Sequence, residues 1–231
     1  MKLSISKIQE FEKCKYSYFL THIKKEKTDV VPIQLKEGVE KHEMFEKAIT
    51  NTKERKYAIS IVGIENEMKL LSNYAKYKQD ADNFVQFSRD LLFSGNDPLP
   101  LHTELKLFNE PLNISGVIDR VDQEDDKTLI LDYKTGKVHP IYEFYFQLAT
   151  YVFMYEEQYN VPVTHWGIFF TNSGSWEIEA IDRMEVAKAK ARIQLTREMI
   201  KKAEAENSFP KQPSVLCKWC TWMQAGKCNG K

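Results

Sequence analysis

The chain carries no excess charge of either sign: 33 basic and 33 acidic side chains give a formal net charge of zero over 231 residues. A basic average is the usual electrostatic footprint of a nucleic-acid-binding domain. Its absence argues against binding through the whole surface. It does not exclude a local basic groove beside an acidic site. No stretch approaches the roughly 20 apolar residues of a membrane span, and the start, MKLSISKIQEF, lacks the apolar segment of a signal peptide. These absences predict a soluble, cytoplasmic chain. No GxxxxGK[ST] phosphate loop occurs, so no nucleotide-driven motor is expected in it. There is no internal repeat and no low-complexity linker. Cysteines number only four, and in a reducing compartment such residues are more often metal ligands than disulfides.

The length suits one elaborated domain spanning 1–231. Residues 1–95 read as mainly helical, with helices expected over 3–24, 36–50 and 64–93 and Ser6 as a candidate cap. Asn96-Asp97-Pro98-Leu99-Pro100 ends that region. Strands are expected at 101–108, 113–122 and 127–134, a helix at 141–159, and strands at 164–171 and 175–181. A charged helix follows over 184–206, then a loop-rich tail over 207–231. The order is α/β (α+β): a helix, three strands, a helix and a strand, with 101–181 as the sheet core. Basic residues run together at Lys13, Lys15, Lys24, Lys25 and Lys27, and again at Lys188, Lys190, Arg192, Arg197, Lys201 and Lys202. Such runs are as often solvated helix faces as binding patches.

Most of the chemistry sits in three segments: GVIDRVD at 116–122, ILDYKTGK at 130–137 and QLATY at 147–151. Strand alternation places Val117, Asp119 and Val121 on one face of the first, and Ile130, Asp132 and Lys134 on one face of the second. The acidic turn Gln123-Glu124-Asp125-Asp126-Lys127 joins them as an antiparallel pair. Two carboxylates and a lysine then converge. An inward carboxylate without a partner is costly, and a hard divalent cation such as Mg²⁺ or Mn²⁺ relieves the cost. Gln147 and Tyr151 share a helix face. Tyr145, Phe146, Leu148, Val152, Phe153 and Tyr155 already supply packing there, so the polar Gln147 needs a partner.

These segments resemble, in order and spacing, the GxxDRxD, DxKTG and QxxxY pattern of the RecB-like exonuclease branch of the PD-(D/E)xK nuclease superfamily. The resemblance implies an αβββαβ core with a mixed central sheet flanked by helices, dependence on a divalent metal, and a DNA substrate. It implies that Asp119, Asp132 and the Tyr133 backbone carbonyl ligate the metal and that Lys134 serves the attacking water and the developing charge. It places His42, after Gly38 on an early helix, as a further ligand, which favours Mn²⁺. It offers Glu104 as an additional acidic contributor. Gln147 and Tyr151 are implied to touch the DNA backbone and to brace the metal ligands.

Cys217, Cys220 and Cys228 form C-x2-C-x7-C in the tail, and Cys14 lies near the other end. One early and three late cysteines resemble the iron–sulfur subset of the branch, which includes the AddB nuclease domain and CRISPR-associated RecB-like exonucleases. There the four thiolates hold a [4Fe–4S] cluster that staples the chain ends. A Cys₄ zinc site is the alternative. The gap between the last two cysteines is longer than that subset's usual spacing, which puts Cys228 most in question.

The expected function is phosphodiester hydrolysis in DNA, exonucleolytic on single strands or ends. CRISPR adaptation, phage DNA metabolism, recombination and repair all remain open, with a helicase, a recombinase or a CRISPR adaptation protein as a possible partner. A DNA-binding or assembly subunit that kept the fold is the non-enzymatic rival. The intact Asp119, Asp132 and Lys134 count against it.

Overall fold

A computed structural model describes residues 2–30 and 32–230. The chain opens with a short strand β1 (Leu3–Ser4) and helix α1 (Ile5–Lys13), then α2 (Lys15–Tyr18) and a π-helical turn (Phe19–Ile23). The single helix expected over 3–24 is therefore broken, and the cap is Ser4, whose hydroxyl accepts from Lys7 N at 3.3 Å, rather than Ser6. Helix α3 (Ile33–Arg55) is longer than expected. The 64–93 pattern is two helices, α4 (Ser60–Leu70) and α5 (Lys78–Phe93).

Strands β2 (His102–Asn109), β3 (Ile114–Glu124) and β4 (Lys127–Lys134) follow, then a 3₁₀ turn (Ile141–Phe144) and α6 (Tyr145–Tyr159). β5 (His165–Phe170), β6 (Ser175–Ala180), α7 (Arg183–Ala205), a 3₁₀ turn (Val215–Trp219) and α8 (Thr221–Gln224) complete the chain. No helix among the described residues is long and apolar enough to cross a membrane.

The described strands form one mixed sheet in the order β1-β3-β4-β5-β6, with β2 on the other edge of β3. β3–β4 and β5–β6 are antiparallel, and β4–β5 is parallel, with α6 as its crossover. This is the expected αβββαβ order. Alternation along the strands feeds two cores. Ile130, Trp166 and Ile168 pack with Ile8, Phe11, Leu148, Val152 and Ile193 of α1, α6 and α7. Leu131, Tyr133 and Phe169 pack on the other face with Phe45, Ile49, Met68 and Phe84 of α3, α4 and α5.

β3 changes partner on one edge. Ile114 and Ser115 pair with β1, and Arg120 to Glu124 pair with β4. Among the described residues, 116–119 have no strand on that edge, so β3 and β4 form a fork.

Candidate active site and cysteine pocket

The fork places three carboxylates at one level of the sheet. On the β2 side, Thr103 pairs with Arg120 and Leu105 with Ile118, so Glu104 stands opposite Asp119. Glu104 has a φ of +47°, left-handed backbone that a non-glycine residue rarely adopts within a strand. On the β4 side the ladder stops at Arg120–Leu131, one step before Asp119 and Asp132. The Asp119 side chain takes over: its Oδ2 accepts the Tyr133 backbone N–H at 2.6 Å. From α3, His42 Nδ1 reaches within 3.2 Å of Asp119 Oδ1 and 3.5 Å of Glu104 Oε1. One donor atom from each of His42, Glu104 and Asp119 lies within 4.8 Å of the others.

Burial alone would lower the His42 pKa, but its bonds to Asp119 and Glu104 outweigh that and raise it to about 10. The ring is thus an imidazolium balancing two carboxylates. Asp132 is pushed up to about 6, first by burial and then by the Asp119 charge, with Lys134 partly offsetting both. A site that holds a proton on histidine and resists ionising a second aspartate is short of positive charge. Neutral imidazole with hard carboxylate oxygens is a donor set suited to a divalent cation, and such a cation would displace the His42 proton. The residues present fit one.

Asp132 stands somewhat apart from the other three. Gln147 Nε2 donates to its Oδ1 at 2.6 Å, and Lys134 Nζ lies 2.6 Å from its Oδ2 as an ion pair off the hydrogen-bond direction. Lys134 Nζ also donates to Gln147 Oε1 at 2.8 Å, and Gln147 Nε2 to Tyr151 Oη at 2.9 Å. Gln147 therefore meets the lysine, the aspartate and the tyrosine. Burial, followed by the charges of Asp132 and Asp119, raises the Tyr151 pKa well above a free phenol's. Gly116 permits this ring: a Cβ there would sit 2.9 Å from Tyr151 Cε1.

The alternation argument needs one correction. Val121 is buried but Val117 is 37% exposed, and Ile118, Asp119 and Arg120 are all buried because both sheet faces are covered there.

Two supporting groups escaped the sequence reading. Arg120, fully buried, donates from Nε to Asp122 at 2.7 and 3.0 Å and from its guanidinium to the Pro98 carbonyl at 3.2 Å. It ties the β2 entry loop beneath the fork. The DRVD spacing was the available signal. Lys41, next to His42, pairs with buried Asp80 at 2.9 Å, and Thr171 donates to the same oxygen at 2.5 Å. This anchors α3 to α5 and the end of β5. Nothing in the sequence marked it.

Cys14, Cys217, Cys220 and Cys228 all carry free thiols and line one cavity of about 460 Å³ with Trp219 and Trp222. The topology thus brings Cys14 and the three tail cysteines to one cavity. The ends are also joined without any metal. Phe209 stacks on Phe19, Trp222 Nε1 donates to Thr21 at 3.2 Å, and Lys15 N donates to Gln212 at 2.8 Å.

The later basic run is largely a paired helix surface. Lys188, Lys190, Arg192, Lys201 and Lys202 each face a glutamate: Glu185, Glu157, Glu12, Glu198 and Glu206. Arg197 donates to the Pro111 carbonyl.

Comparison with known proteins agrees with this geometry. The chain is 27% identical over 174 residues to one subunit of the ATP-dependent helicase/deoxyribonuclease of Streptococcus uberis, a stretch covering 66% of this chain and 16% of that protein. A crystal structure of an Eubacterium rectale protein, provisionally named an exonuclease, superposes with a TM-score of 0.59 at 12% identity. The superposition covers 95% of this chain and 86% of that one, and it shows the shared fold. The family model of the PD-(D/E)XK nuclease superfamily matches residues 2–225, and the chain belongs to that superfamily.

Proposed function

We propose that this chain is a single nuclease domain that hydrolyses DNA phosphodiesters with a divalent metal, as an exonuclease on single strands or ends. The observation that carries the reading is the meeting of His42, Glu104 and Asp119 donors within 4.8 Å, beside an Asp132–Lys134 pair. Asp119, Asp132, His42 and the Tyr133 carbonyl would hold Mn²⁺ or Mg²⁺, with Glu104 as a further ligand or a partner to a bound water. Bound there, the cation would polarise a phosphate oxygen and lower the pKa of a water. Lys134, released from Asp132, orients that water and offsets charge on the reacting phosphate. Gln147 holds Lys134 and Asp132 in register. Gln147 and Tyr151 also face the groove through which the DNA backbone would reach them.

For the cysteines we favour a [4Fe–4S] cluster over zinc. Thiolates on one zinc ion lie about 3.8 Å apart, given Zn–S bonds near 2.3 Å in a tetrahedron. Here the four cysteines line one cavity of about 460 Å³, room for a cubane cluster, which holds its thiolates further apart than a single ion does. The Streptococcus uberis relative is named as part of a helicase/deoxyribonuclease, so a helicase is the partner class we favour. Recombination, repair, phage metabolism and CRISPR adaptation all use such an activity.

The test is direct. End-labelled single- and double-stranded DNA are incubated with the protein and Mn²⁺, Mg²⁺ or EDTA. Metal-dependent shortening from an end is expected. Full activity in EDTA, or no cleavage of either substrate with either metal, would sink the proposal. Ladder-free internal cutting of circular DNA would replace exonuclease with endonuclease.

A further inference from the structure

The unpaired edge of β3 opens into a groove of about 560 Å³. Its floor includes Gly116 and Val117, one wall is the start of α1 with Ser4, Ser6 and Gln9, and the other is Gln147 and Tyr151 of α6. Lys2 and Lys106 stand at the rim, and no carboxylate lines it. Both lysines are exposed. Lys2 Nζ lies 4.7 Å over the Phe108 ring, and neither lysine has an acidic partner among the described residues. This contrasts with α7, where six basic side chains face glutamates. A chain of zero net charge therefore leaves positive charge unpaired in the groove that ends at Gln147.

We propose that this groove holds the sugar–phosphate backbone of a single DNA strand next to the reacting phosphate, with Lys2 and Lys106 neutralising its phosphates. The proposal rests on the nuclease reading and deepens it by naming the substrate form and two positioning residues. The volume falls within the roughly 300–1,000 Å³ that encloses one drug-sized molecule. That matches a nucleotide or two of one strand. The open backbone edge at 116–119 and the hydroxyls of Ser4 and Ser6 add neutral hydrogen-bonding groups, which accept any sequence.

The experiment measures anisotropy of a fluorescent 15-nucleotide single strand with the full chain, in Ca²⁺, over a range of salt. In the Lys2→Glu/Lys106→Glu protein, affinity should fall at least tenfold. The slope of log affinity against log salt should shrink by about 1.4, at roughly 0.7 per lost phosphate contact on a single strand. In Mn²⁺ the loss should appear in KM rather than in kcat. Lys201→Glu/Lys202→Glu, on α7, should bind as the parent does. Thermal melting confirms that both variants fold. An unchanged salt slope and affinity in the Lys2/Lys106 variant overturns the groove. A duplex that competes as well as a single strand overturns the commitment to single strands. The two readings fail separately. A parent that cleaves DNA with Lys2 and Lys106 irrelevant keeps the nuclease and loses the groove. A parent that binds through these lysines but never cleaves keeps the groove and loses the nuclease.

Discussion

Replacing Asp132 by Asn removes a charge that the metal-free fold holds at a cost. Asp132 is 3% exposed, and burial with the neighbouring Asp119 raises its pKa from 3.8 to about 6. A carboxyl whose folded pKa exceeds its unfolded value binds its proton more tightly when folded, so it destabilises the fold as pH rises. At about 1.4 kcal/mol per unit, the shift corresponds to a penalty of about 3 kcal/mol, developed in full above pH 6. By pH 5 about half of it is gone, and below pH 4 nearly all. The Asn protein, unfolded by urea in EDTA at pH 7.5, should be more stable than the parent by an amount approaching this figure. The gap should narrow at pH 5. Asp119, Lys134 and His42 interact with Asp132, so the comparison reads the coupled group as a whole. Adding Mn²⁺ should close the gap and, at a thousandfold excess over its Kd, worth about 4.1 kcal/mol, reverse the order. At a hundredfold excess over its Kd the ion stabilises the parent by about 2.7 kcal/mol, and the Asn protein should gain much less and should not cleave. A variant no more stable than the parent at pH 7.5, or one that gains as much from Mn²⁺, would refute the reasoning.

Lys134→Ala should slow cleavage by about 10²–10⁴-fold while calorimetric Mn²⁺ binding persists; lost binding with surviving cleavage would make Lys134 structural. Because His42 must shed its proton before it can ligate, Mn²⁺ affinity should climb with pH up to about 10, by roughly tenfold per unit. In His42→Ala that dependence should flatten. The sign is opposite for the metal-free fold, where His42 pairing contributes fully below its ordinary value of 6.5 and is lost as pH rises through about 10. Gly116→Ala should push Tyr151 aside, cost about 1–3 kcal/mol in urea unfolding, and loosen Gln147; unchanged stability and turnover would contradict the close approach. Protein purified without oxygen should be brown, with iron and labile sulfide each near about four per chain. A colourless protein with one zinc would replace the cluster. Cys14→Ser should impair folding more than it alters the distant carboxylates.

The sheet and its carboxylates were legible because strand alternation and the acidic turn are local signals. The observed β3, β4, β5 and β6 lie within two residues of expectation at each end. The helical half was less legible because distant contacts set its breaks. The break between α4 and α5 contains neither glycine nor proline. It is held from α3: Asn73 donates to the Glu40 carbonyl at 3.2 Å, and Tyr77 and Lys76 reach the Glu40 carboxylate at 2.6 and 2.7 Å. The Lys41–Asp80 pair lies beside these contacts. A buried ion pair contributes little net stability over an apolar pair, but breaking it is costly. It suits the task of fixing one helix, and with it His42, in a single register.

Glu104 was offered by the resemblance and not by strand alternation, and the groove by neither, for a related reason. Alternation predicts where a side chain points only while a strand keeps extended backbone, and Glu104 leaves it. The same is true of pairing. A sequence that reads as two adjacent strands implies a continuous ladder, yet the ladder stops where the Asp119 carboxylate takes the Tyr133 N–H in place of a β3 carbonyl. That substitution parts β4 from β3 just where the carboxylates gather. The edge of β3 left open by the parting is the floor of the groove beside Gln147. One side-chain hydrogen bond thus shapes both the carboxylate cluster and the open edge of β3. A change that restores the ladder would close that edge along with taking Asp119 out of the carboxylate cluster.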